Sequence, residues 1–226
     1  MRHLLSALFW VLLLVPKADA SSCLELGKDH TRRREFDKAA TFLECAREEE
    51  PNDAEILSLL AVARSHERQY VSAGAAFQLG IVAAVEQRDS SQRATLEGNR
   101  AAVSVQLYNR ATRALHDWTQ KKELLDYPAY SGLRTRAWGG SKAITDTTYF
   151  PPAMGNSSLQ QAAYFLELAS YVDPTSADTF EGLSRVLLDL GYAEDALRAS
   201  QFAVGLHPDD QALIRSLRVA QERLKH

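Results

Sequence analysis

The sequence predicts an all-α fold, an α-solenoid of about four helix pairs closed by a C-terminal capping helix and interrupted by one long irregular insertion. Two observations carry this expectation. Residues 23–85 echo themselves at a spacing of 34, so that Leu26 falls on Leu60, Gly27 on Ala61 and Phe36 on Tyr70. Ala39, Leu43 and Ala46 fall in the same way on Ala73, Phe77 and Gly80. The spacing returns near the C-terminus, where Ala162, Leu166, Ala169 and Pro174 meet Ala196, Ser200, Ala203 and Pro208. Self-similarity at a fixed period in this range marks a stacked-repeat architecture, and neither copy of the N-terminal echo carries a strand pattern.

Each N-terminal copy reads as two helices joined by a polar turn, Arg32–Glu35 in one and His66–Gln69 in the other. Gly27 sits mid-helix, where glycine costs about 1 kcal/mol against alanine, so a packing reason is required. A residue without bulk lets the second helix of the pair cross closely. Leu26, Leu60, Phe36, Tyr70, Leu43 and Phe77 are expected to fill the space around that crossing. Pro51 ends the first unit, near 21–53, and Asp53 caps the helix that opens the second, near 54–87. Asp89-Ser90-Ser91 starts the next helix by the same logic. Leu96, Val103, Leu107, Ala111 and Leu115 then hold helical spacing as far as Trp118.

From 119 to 157 the period is lost among Pro128, Gly132, Gly139, Gly140, Pro151, Pro152 and Gly155. So long a stretch inside a compact domain is usually functional or disordered, and its aromatic residues argue against plain disorder. Ser157 and Gln160 fit a capping box. Residues 158–172 therefore read as the second helix of a repeat, 91–174, whose hairpin tip holds the insertion. Residues 177–208 form the last repeat, with Gly191-Tyr192 at its turn. Asp209 or Asp210 caps a closing helix within 210–225, whose Arg215, Arg218, Gln221 and Glu222 suit a solvated end.

The Leu-Gly pair, the following aromatic, the spaced alanines and the closing proline resemble the tetratricopeptide (TPR) repeat. The resemblance covers residues 20–53 well, 54–87 less closely, and the C-terminal region well again. It implies a protein partner bound along the concave face made by the first helix of each pair. Carried over, that face includes Leu24, Lys28, Thr31, Glu55, Ser58, Val62, Ser65, Glu181, Arg185 and Leu188. Leu24 and Val62 stand where a carboxylate clamp of that family needs polar residues, so a terminal-carboxylate ligand is not expected. The antiparallel hairpin of the family also implies that Cys23 and Cys45 are neighbours able to form a disulfide, alongside the reading of two buried thiols. Within the insertion, Trp138, Tyr149 and Phe150, with Arg134, Arg136 and Lys142, offer a second contact surface or a lid over a ligand, or simply pin the loop to helix 91–118.

Arg2 and His3 before the apolar run Leu4–Val15, then Ala18-Asp19-Ala20, read as a secretory signal peptide over residues 1–20. The run is shorter than the ~20 residues of a membrane span, so no integral span is expected. An alternative is lipoprotein processing, with a lipid anchor on Cys23. The expected place is a bacterial periplasm or cell envelope. The chain's net charge of −3 argues against nucleic acid as the main partner, which wants a basic face. The six histidines show no metal-ligand spacing, and Gly139-Gly140-Ser141-Lys142 lacks the spacing of a phosphate loop. No enzymatic constellation, metal or cofactor is expected. Arg32-Arg33-Arg34, followed by Glu35 and Asp37, reads as a solvated turn, and Asn156-Ser157-Ser158 matches a glycosylation acceptor. The predicted task is a non-enzymatic exported scaffold for protein–protein contact, with a ligand-binding or regulatory subunit as the rival.

Overall fold

The computed structural model describes residues 19–121 and 157–225. They form a TPR-like α-solenoid of nine described helices. In order these are α1 (Ala20–Arg32), α2 (Phe36–Glu49), α3 (Ala54–His66), α4 (Tyr70–Glu86) and α5 (Ser90–Lys121). After the segment outside the described residues follow α6 (Ser158–Val172), α7 (Ala177–Asp189), α8 (Ala193–Leu206) and α9 (Gln211–Arg223).

Caps set the starts. The carboxylates of Asp53 and Asp210 accept the amides of Ile56 and of Ala212 and Leu213. Asp89 takes the Gln92 amide at 2.9 Å, and Ser157 with Gln160 forms a full capping box. The ends are equally regular. After α1, α3, α4 and α7, one residue turns left-handed and two amides fold back on the last carbonyls, a Schellman closure. Gly191 fills that place after α7 at φ 85°, as glycine is suited to do. Arg34, Arg68 and Arg88 fill it elsewhere, at φ 60°, 63° and 57°, which costs a side-chain-bearing residue about 1 kcal/mol.

Within the first hairpin, a methyl group on Gly27 would stand 2.7 Å from Leu43 Cγ, so the glycine is what lets α1 and α2 approach. In the second, Ala61 and Phe77 share one buried cluster. Leu60, Leu43 and Phe77 are buried, and Phe36 and Tyr70 are half-buried. Leu26 departs from expectation at 41% exposed. The helix register that buries Cys23 and Gly27 turns Leu26 outward, and α1 is the outermost described helix.

The third pair is uneven. Helix α5, at 32 residues, spans about 48 Å, while α6 has 15. Its partnership with α6 runs antiparallel: Val103 and Leu107 cluster with Leu168 and Val172, whereas Ala111 and Ala114 cluster with Leu159 and Ala162. The Ser104 hydroxyl donates to the Ala169 carbonyl at 3.2 Å within this seam. Helix α5 runs on through Lys121, so residues 119–121, assigned to the insertion by sequence, are helical. No proline or glycine intervenes before Pro128, and the Thr119 hydroxyl bonds back to the His116 carbonyl at 2.7 Å. Helix α9 covers the last pair and leaves Arg215, Arg218, Gln221 and Glu222 exposed.

Candidate functional site

The first helices of the pairs, α1, α3, α5 and α7, define one face, and their register from each cap decides which side chains it offers. On α3, Glu55 and Ser65 lie at this face beside the half-buried Val62, but Ser58 is only 5% exposed and is spent on packing. The Ser65 hydroxyl is engaged with the Val62 carbonyl at 2.8 Å. Leu24 is half-buried between two small clusters.

Lys28 bridges α1 to α3. Its ammonium lies 3.2 Å from Glu25 and 3.0 Å from Glu55. Burial works against its charge, but hydrogen bonds to Glu55 and Glu25 outweigh this and raise its pKa above 10.5. Lys28 thus serves as a brace between hairpins. On α7, Arg185 is exposed and held by Glu181 at 2.6 Å, while Leu188 is half-buried against the C-terminal core. Near it, burial pushes the Asp189 carboxyl up against the opposing pull of Arg223. The structure therefore gathers Lys28 with Glu55, Val62 with Ser65, and Glu181, Arg185 and Leu188 on one helix. Helix α5 lies between the α3 and α7 groups. Trp138, Tyr149 and Phe150, like Arg134, Arg136 and Lys142, lie outside the described residues, as does Asn156.

One part of this face was missed by sequence reasoning. A hollow of about 380 Å³ opens between α5 and α7, with Ala101, Ser104, Val105 and Tyr108 on one side. Asp173, Ser176, Asp178 and Thr179 line the other. Val105 is 57% exposed there, a large apolar residue held out to solvent. The polar wall is fixed from behind. Buried Arg100 pairs with Asp173 at 3.3 Å and donates to Thr175 at 3.3 Å and to Gln78 at 3.5 Å. Asp173 also accepts from the Thr175 hydroxyl at 2.6 Å. Removing one partner of so buried a pair would strand the other charge. The signal that could have found the hollow is the match of cap Asp89 to cap Asp53. Counting from that cap places Gly98 and Ala101 where Val62 and Ser65 stand on α3.

This arrangement offers shape, apolar area and fixed hydrogen-bonding groups. No group of three or more His, Cys, Asp or Glu able to hold a metal occurs among the described residues. No described helix is long and apolar enough to cross a membrane. Cys23 and Cys45 are joined by a disulfide, with Cα atoms 6.0 Å apart, linking the start of α1 to the last turns of α2.

No protein-family model matches the chain, and no curated protein matches it either. Among solved structures it is similar to the crystal structure of MamA protein, at 14% identity and a TM-score of 0.35, over 91% of this chain and 82% of that one. It is also similar to MamA 41-end from Desulfovibrio magneticus RS-1, at 16% identity and 0.34, over 91% of each chain. A third is YrrB, described as a TPR protein with an unusual peptide-binding site, at 16% identity and 0.35, over 93% and 97%. Overlays this loose leave the class, a TPR-like helical-repeat solenoid, standing on the chain's own helix pairs.

Proposed function

We propose that the chain is a non-enzymatic scaffold that holds a segment of a protein partner along the face of α3, α5 and α7, seated in the α5–α7 hollow. The observation that carries this reading is Val105, exposed above a floor of small side chains and beside a polar wall in which Asp173, Ser176 and Thr179 are held by hydrogen bonds. A preformed surface of this kind lowers the ordering cost of binding, so no chemical step is needed. Export belongs to the same proposal. The leader-like residues 1–20 support it, and a disulfide in the first hairpin suits an oxidising compartment. With Cys23 bonded to Cys45 and only 1% exposed, the reading favours a released protein over one anchored by lipid on Cys23.

The test is capture from envelope extract by the mature protein carrying a photocrosslinker at position 101. Wild type should trap a discrete partner, and Val105→Arg should lose it while keeping its helical circular dichroism. Equal capture by both proteins would refute the groove reading.

A further inference from the structure

Among the described residues the three left-handed ones that are not glycine are all arginine, and two of them occupy the same place in successive hairpins. Arg34 closes α1, Arg68 closes α3, and at the corresponding point after α7 the chain uses Gly191. A bulky cation kept where glycine fits without strain points to a use beyond the turn.

Contacts between the hairpins set these cations in a row. Phe36, two residues after Arg34, stacks on His66, two residues before Arg68, with ring centroids 3.9 Å apart. Tyr70, two residues after Arg68, lies 5.9 Å from the guanidinium carbon of Arg110 on α5, which also sits 5.8 Å from the Phe165 ring. The order along the edge is thus Arg34, Arg68, Arg110, with Arg32 flanking one end and Arg113 the other. None of these five has an ion-pair partner among the described residues, whereas their neighbours Arg33, Lys38 and Arg64 are paired to Asp29, Glu35 and Glu67. Asp37 and, four residues beyond Arg113 on α5, Asp117 are the exposed acids in these segments without such a pair. In a chain of net charge −3, this edge is a local concentration of positive charge.

We propose that this hairpin-tip edge is a second docking surface, separate from the groove, for an extended acidic polypeptide segment. All five of these cations are arginine, whose planar fork matches carboxylates two-pronged. Neighbouring helix pairs repeat at about 10 Å, and extended chain advances about 3.3 Å per residue. The row therefore fits carboxylates at about every third residue over roughly seven residues. A lipid surface is disfavoured because none of the exposed large hydrophobic residues lies in the tips 32–36 and 66–70, and interfacial binding needs an apolar face.

The test uses the full mature chain with its disulfide intact and a labelled peptide, (Glu-Gly-Gly)4, followed by fluorescence anisotropy at low salt. Arg34→Gly with Arg68→Gly should weaken binding at least tenfold while the melting temperature holds or rises, because glycine suits the left-handed turn. The lysine peptide (Lys-Gly-Gly)4 should not bind. Unchanged affinity in the double variant would overturn the proposal. So would binding to anionic vesicles or to a single-stranded oligonucleotide that is tighter than to the acidic peptide. Val105→Arg lies off this edge and should leave peptide affinity unchanged, so failure here and failure of the groove reading are separate results.

Discussion

The first and last hairpins share one 34-residue grammar and are fastened in different ways. At the crossing of α1 and α2, Gly27 meets Leu43, no side chain against a large one. The corresponding crossing of α7 and α8 brings Ser184 to Ser200, both buried, with hydroxyls 2.6 Å apart. Two medium polar groups replace a small–large pair, and the hydrogen bond satisfies both. The ends differ as well. Hairpin α7–α8 lies between α6 and α9 and buries Phe180, Leu183 and Leu187. Among the described residues hairpin α1–α2 has a neighbour on one side only, and its small buried clusters join Ala39, Ala40, Leu43, Ala46 and Cys23 to Ile56, Leu60 and Ala63 of α3. A core this small is marginal, and there the chain places its disulfide.

Breaking that staple should have the largest effect. Cys23→Ser with Cys45→Ser should lower the stability of the first hairpin by about 3 kcal/mol, the loop-closure value for a loop of this size. Urea unfolding should then show an early transition that reductant reproduces in wild type. If the two ends were equally secure, the double variant would unfold as wild type does. Next comes Gly27→Ala, which forces Leu43 to move in a site with no slack and should cost about 2 kcal/mol. Pairing it with Leu43→Ala should recover part of the overpacking loss while adding a cavity.

The last hairpin should answer differently. Ser184→Ala or Ser200→Ala alone leaves one buried hydroxyl unpaired and should cost about 1–2 kcal/mol, whereas the double alanine variant should cost less than the sum of the two. Additive losses would mean that the two hydroxyls do not act as a unit. The smallest effect concerns pH. Hydrogen bonds from Lys38 and His30 hold the Glu35 carboxyl below its ordinary value of 4.5. A depressed carboxyl adds stability above 4.5 that is lost as pH falls through the lower folded value. Glu35→Gln should therefore flatten the acid limb of the first hairpin's melting curve and leave the last hairpin's unchanged.

The backbone architecture was legible because repeats constrain small residues, caps and stops at a fixed period. Asp53, Asp89, Ser157 and Pro51 each announce an element boundary through local chemistry alone. Leu26 was misjudged because the period says which residues are equivalent, not which way the register of each copy turns them. The α5–α7 hollow was missed for a related reason: helix α5 breaks the 34-residue register, so its face lines up with that of α3 only when counted from cap Asp89 against cap Asp53. Arg34 and Arg68 were visible as charges in turns, but their shared left-handed geometry, and the row they form with Arg110, exist only in three dimensions.

The central claim is that α5 and α6 close one antiparallel pair across the 122–156 segment, which puts α5 and α7 side by side and creates the groove. Spin labels at positions 101 and 175, and at 119 and 175, test it in the oxidised protein. Because 18 residues of helix, about 27 Å, separate 101 from 119, the second distance should exceed the first by about 20 Å. A 119–175 distance equal to or shorter than 101–175 would contradict the pairing and the groove with it.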